Sequence, residues 1–197
     1  MDIKASDVAK LREMTGVGMM EAKKALVEVG GDLEKAGEYL RKNGSAKAAK
    51  KADRVTGEGR VHCYTHSTGK IGVMVEVLCE TDFVARNPAF IEFCNDLALH
   101  IAAISPLYLS REEVPPEVVA KEREIAKEIL LAEGKPVEML EKIIDGKLNR
   151  YFSETCLLEQ PFVKDEDLTI QQLVEGKIAS IGENMKINRF KRIQIGA

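Results

Sequence analysis

From Ile71 to Glu80 apolar and polar positions alternate, with Ile71, Val73, Val75, Val77 and Cys79 on one face, and this period of two predicts a half-buried strand. Arg60 to His66 predicts a second strand, joined to the first by a hairpin turn at Ser67-Thr68-Gly69-Lys70. Met185 to Ile195 predicts a third, whose alternation slips near Phe190. Elsewhere apolar residues recur at helical spacing. Asp7 to Met14 presents Val8 and Leu11, and Met19 to Val29 presents Met19, Ala22, Ala25, Leu26 and Val29 before Gly30-Gly31. A third helix, capped by Asp32, presents Leu33, Ala36 and Leu40 and is predicted to stop at Asn43-Gly44. Further helices are predicted over Pro88 to Ile104 with Asn87 as N-cap, from a capping box of Ser110 and Glu113, and over Pro116 to Glu133. Two more follow, one opened by Pro136 and punctuated by Gly146, the other over Leu168 to Ile181. Strands and helices that do not alternate as βαβ units indicate an α+β chain with a small antiparallel sheet.

This texture divides the chain into a three-helix module (residues 1–44), a basic linker helix (45–55) and a core domain (56–197). Three amphipathic helices in so few residues make a compact bundle, marginal by itself and suited to act as a binding knob. Between Arg41 and Arg54 stand Arg41, Lys42, Lys47, Lys50, Lys51 and Arg54 against the single acid Asp53. A solvated linker helix is the plain reading, a phosphate-binding patch the alternative, and either could steer the chain toward an acidic partner.

Composition narrows the function classes. With 197 residues and 45% hydrophobic content, the chain can bury one substantial core plus a small accessory unit. A net charge of -3 argues against a general nucleic-acid binder, and 5% aromatic content leaves few platforms for base stacking. No run approaches the roughly 18 apolar residues of a membrane span, and the first residues lack a signal-peptide core, so a soluble cytoplasmic protein is expected. Cys63, Cys79, Cys94 and Cys156 are widely spaced and read as reduced, packed thiols. His62 and His66 would share one strand face with Cys63 on the other, which spoils convergence on one metal ion.

Covalent catalysis finds no support. P-loop, Gly-x-Gly-x-x-Gly and Gly-x-Ser-x-Gly patterns are absent, and His62, His66 and His100 lack an evident nucleophile and carboxylate set. A thiol hydrolase built on Cys79, His66 and Asp82 would need Cys79 to leave the apolar strand face.

The heptapeptide Thr81-Asp82-Phe83-Val84-Ala85-Arg86-Asn87 places a large apolar ring beside a carboxylate between a strand and a helix, where binding residues concentrate. The plain alternative is that Phe83 folds back as a lid on the core. This segment resembles the signature of the elongation factor Ts family, and other segments are similar to that family in the same order. These are Leu11 to Met20, Ala46 to Ala52, His100-Ile101-Ala102-Ala103, Gly134-Lys135-Pro136, Glu159-Gln160-Pro161-Phe162-Val163 and Ile181-Gly182-Glu183-Asn184.

The resemblance implies a guanine-nucleotide exchange factor for the translational GTPase elongation factor Tu, working without covalent chemistry. Such a factor binds the GDP-bound and nucleotide-free partner, with no cofactor and no direct binding of nucleotide, nucleic acid or membrane. By carry-over Thr81, Asp82, Phe83 and Val84 would dislodge the partner's magnesium ion. Val17, Gly18, Met19 and Met20 of a ubiquitin-associated-like module would press near its phosphate-binding side. Longer relatives carry a duplicated core half, whereas this chain has one copy, and short members work as homodimers. A homodimer is therefore expected, with Arg189 to Ile195 as candidate interface. Two rivals stand beside this reading: an adaptor using the three-helix module for another protein, and a ribosome-associated RNA binder using Arg41 to Arg54.

Overall fold

The computed structural model describes residues 3–134 and 136–196, so Lys135 of Gly134-Lys135-Pro136 lies outside the described residues. The chain opens with α1 (Ala5–Thr15), α2 (Met19–Glu28) and α3 (Leu33–Ala49), followed by β1 (Glu58–Thr65) and β2 (Ile71–Cys79). A one-turn α4 (Asp82–Ala85) leads into α5 (Pro88–Ile104), and a helical hairpin of α6 (Pro116–Ala132) and α7 (Val137–Thr155) follows. The chain then forms β3 (Pro161–Phe162), β4 (Asp165–Thr169), α8 (Ile170–Ile181) and β5 (Met185–Gln194). The fold is α+β, with a small antiparallel sheet packed by helices.

The first three helices close on Val8, Leu11, Ala25, Leu26, Ala36 and Leu40. Asp32 caps α3 by accepting from the backbone N–H groups of Glu34 and Lys35. That helix does not stop at Asn43-Gly44. Gly44 is buried where α3 passes α8, and a Cβ there would stand at ordinary contact distance, 3.8 Å from the Ala179 Cβ and 3.9 Å from the Glu175 carbonyl oxygen. Burial of Gly44 and Ala48 on the core side carries the helix past this point. The stretch expected as a separate linker helix is therefore split: residues 45–49 extend α3, and residues 50–54 form turns leading to β1.

The sheet runs in the order β1-β2-β5. Val73, Val75, Val77 and Cys79 face inward as the alternation predicts, and α5 covers them with Phe90, Phe93, Leu97 and Ile101. From the other side of the core, Val174 and Ile178 of α8 join the same cluster. The predicted slip in β5 is a bulge: Glu76 pairs with Arg189 and Val77 with Ile187, leaving Asn188 as the extra residue.

Three helix boundaries differ from expectation. Ser110 makes no capping bond, and Glu113 accepts instead from the Leu109 N–H at 2.9 Å, so the segment forms only a 3-10 turn before α6. Gly146 lies inside α7, which runs on to Thr155. Leu168 belongs to β4, and a reciprocal capping box between Thr169 and Gln172 starts α8 two residues later, at Ile170. Among the described residues no helix is long and apolar enough to cross a membrane.

Candidate partner-binding site

Residues 80–87 must reverse the chain between β2 and a helix packed on the same sheet. Thr81 starts the reversal in extended conformation and caps α4, its hydroxyl accepting from the Val84 N–H. Asn87 then caps α5 by accepting from the Ala89 N–H at 2.9 Å, ahead of Pro88 in the first turn. Within α4, Ala85 is buried and Val84 packs against the core. Helical spacing turns Phe83 away from both, and its side chain is 82% exposed. The ring is therefore no lid. Leaving it in water forgoes about 1.5–3 kcal/mol of burial, a cost that stability of the isolated chain does not explain. Asp82 pairs with Arg86 at 3.0 Å, but both are open to solvent and the pair contributes at most about 1 kcal/mol.

The reversal is clamped by a segment 102 residues away. Gly182 ends α8 with φ at 95°, a left-handed conformation natural to glycine, and this turn brings Glu183 to Thr81. One carboxylate oxygen of Glu183 accepts from the Thr81 N–H at 3.1 Å and the other from its hydroxyl at 2.7 Å. The Cys79 thiol donates to the Thr81 carbonyl at 3.2 Å. Burial first, and the Glu183 charge next, push that thiol's pKa up, so it stays protonated and serves as a donor. Beside this clamp, buried Asn184 donates its side-chain amide to the carbonyls of Ala52 and Arg54, and its backbone N–H to Glu80. The Phe83 turn and the end of the α3 extension thus meet at Gly182–Asn184.

The second set of candidate residues lies where α1 passes into α2. Val17 is buried in the module core, and Gly18 precedes α2 with open space around it. Met19, expected inside, is 50% exposed and Met20 is 68% exposed; Val17 is the residue buried at that end. Met14, at the end of α1, is exposed as well, and flexible thioether side chains of this kind suit a surface that adapts to partners.

The basic stretch is partly engaged within the fold. Lys47 pairs with Glu21, Lys51 donates to the Gly182 carbonyl at 2.6 Å, and Arg54 pairs with Glu80 at 3.4 Å. These cations act as staples between module, linker and core, which weakens their claim as a phosphate patch. The outer face of the sheet mixes apolar and charged residues: Val61, Cys63, Met74 and Ile193 are exposed there beside Lys191 and the Glu76–Arg189 pair, with Ile195 following beyond β5. The other three thiols are buried, and burial drives Cys94 up to about 12.

Sequence reasoning singled out Thr81 to Val84 and Val17 to Met20 as candidates but assigned no role to Glu183 or Asn184. Their only signal was the segment Ile181 to Asn184 among the recurring strings, and periodicity could not pair it with Thr81.

A sequence model described as "Elongation factor TS" matches residues 7–197. The chain is 54% identical over 194 residues to elongation factor Ts of Moorella thermoacetica, covering 98% of this chain and 96% of that protein. It is also 54% identical over 196 residues to elongation factor Ts of Fervidobacterium nodosum, with full coverage of both chains. Its likeness to elongation factor Ts of Geobacter sulfurreducens is 54% over 196 residues, all of this chain and 91% of that protein. With an exposed phenylalanine on a clamped turn and a match along nearly its whole length, the chain belongs to the elongation factor Ts family.

Proposed function

We propose that this chain is a guanine-nucleotide exchange factor for elongation factor Tu, and that it loosens the GTPase's magnesium and GDP by inserting Phe83. The observation that carries this reading is the 82% exposure of Phe83 on a turn anchored from three sides. An apolar ring held out of the core in a fixed turn can transfer its burial to a partner. Asp82 stands beside it, while Thr81 and Val84 hold the turn. The module's Gly18, Met19 and Met20 give a second contact, with Val17 supporting them from within.

Such a factor forms no covalent bond. It works by binding the nucleotide-free GTPase more tightly than the GDP-bound form, and linkage requires GDP to weaken its own binding equally. A bias of 10⁴ corresponds to about 5.5 kcal/mol, whereas burying one Phe contributes about 1.5–3 kcal/mol. Both surfaces must therefore contribute. Titrating elongation factor Tu with this chain, with and without GDP, tests the reading: affinity must fall as GDP rises, and GDP-independent binding would return the adaptor to first place.

The assembly we propose is a homodimer through the outer sheet face, where Val61, Met74 and Ile193 stand exposed together. Pairing two such faces would bury apolar surface that a monomer leaves in water.

A further inference from the structure

We propose that Glu183 is a positioning residue for exchange: it fixes the Phe83 turn in its outward conformation before the partner arrives. This rests on the exchange reading above. Glu183 spends both carboxylate oxygens on Thr81, one on the backbone N–H at 3.1 Å and one on the hydroxyl at 2.7 Å. Charge-assisted bonds of this kind are about twice as strong as neutral ones, and both partners are partly buried, which limits competition from water. The chain on either side has independent support, since Cys79 is in the sheet ladder with Met185 and Asn87 caps α5. Between them only α4, a single turn, carries the ring. One turn of helix is unstable by itself; the burial of Ala85 and the packing of Val84 hold its inner face, and Glu183 fixes its first residue, Thr81, from which the outward pose of the ring is set.

The role differs from simple fold support. The clamp sits in a segment that also receives Lys51 at the Gly182 carbonyl and binds the carbonyls of Ala52 and Arg54 through Asn184. The Phe83 turn and the linker of the three-helix module are therefore referenced to the same three residues. A factor that must present two contacts at once benefits from preorganising them, because less freedom is lost on binding.

The test compares Glu183→Ala, Glu183→Gln and Thr81→Val in wild-type and Phe83→Ala backgrounds, reading GDP release from elongation factor Tu at saturating factor. Glu183→Ala is expected to slow release on the order of ten-fold. Glu183→Gln keeps an acceptor for the Thr81 hydroxyl and is expected to recover part of that loss. In the Phe83→Ala background the same change should add nothing, because there is no ring left to position. An equal fold-loss in both backgrounds, or a wild-type rate in Glu183→Ala, would overturn the inference. Amide hydrogen exchange at Val84 and Ala85 reads the clamp without any partner: faster exchange in Glu183→Ala, which leaves the Thr81 cap in place, supports it, and unchanged exchange overturns it. If wild-type protein leaves GDP release unaltered, the exchange reading fails by itself, and the amide measurement still reports whether Glu183 holds the turn.

Discussion

The imidazole of His100 and the side-chain amide of Gln160 meet in a buried hydrogen bond of 3.0 Å, joining α5 to the turn before β3. His100 Nδ1 accepts from the Val163 N–H at 3.2 Å, so Nε2 carries the proton and donates to Gln160 Oε1. The Gln160 amide nitrogen in turn donates to the Glu154 carbonyl. A chain of bonds with every member satisfied holds the β3–β4 hairpin to the core, and it requires His100 to be neutral.

This sets a pH dependence. Burial lowers the His100 pKa from its ordinary value of 6.5, with the Gln160 bond opposing the shift. As pH falls, the unfolded chain takes up the proton first. Stability is thus complete above about 6.5 and is lost from there down to the lowered folded value. Urea midpoints measured at pH 7.5 and 5.5 should fall in the wild type and fall less in His100→Gln; equal falls would show that other groups govern the slope.

Gly59 in β1 has φ at 152°, and a Cβ there would collide with the Val77 carbonyl and lie 2.8 Å from the Leu78 Cα. The obstruction is backbone of the central strand β2, hydrogen-bonded on both sides, so it cannot swing away as a side chain would. Gly59→Ala should cost about 3 kcal/mol or more, combining strain with overpacking. A thermal melt within a degree of wild type would show that the strands can part there.

Cys63 is the exposed thiol on the outer sheet face, opposite Met74 in the β1–β2 register. A thiol reagent should add once to the native protein and four times after denaturation, as counted by mass. If two sheets pair, labelling of Cys63 should slow as protein concentration rises, and Ile193→Lys should remove that dependence. Concentration-independent labelling, with a monomer mass in sedimentation, would refute the homodimer.

How much was legible depended on whether the determining interactions are local. The strand from Ile71 and the helix from Pro88 could be read because alternation, an N-cap and a first-turn proline all act within a few residues. Gly44 misled because the helix runs on past it, packed against α8 near Ala179. Polar Asp165, Glu166 and Asp167 gave no strand signal, and their strand exists through pairing with Pro161–Phe162. At the candidate site the position of Phe83 was legible and its exposure was not, since the spacing also allowed a lid. The Glu183 clamp spans a sequence distance at which periodicity carries no information.

The most direct measurement concerns Phe83. Because the ring is 82% exposed, Phe83→Ala should leave folding stability within about 0.5 kcal/mol of wild type. Elongation factor Tu loaded with a fluorescent GDP should release it rapidly with the wild-type chain and at least about ten-fold more slowly with the variant, while complex formation persists. A variant that folds normally and releases GDP at the wild-type rate would contradict the wedge.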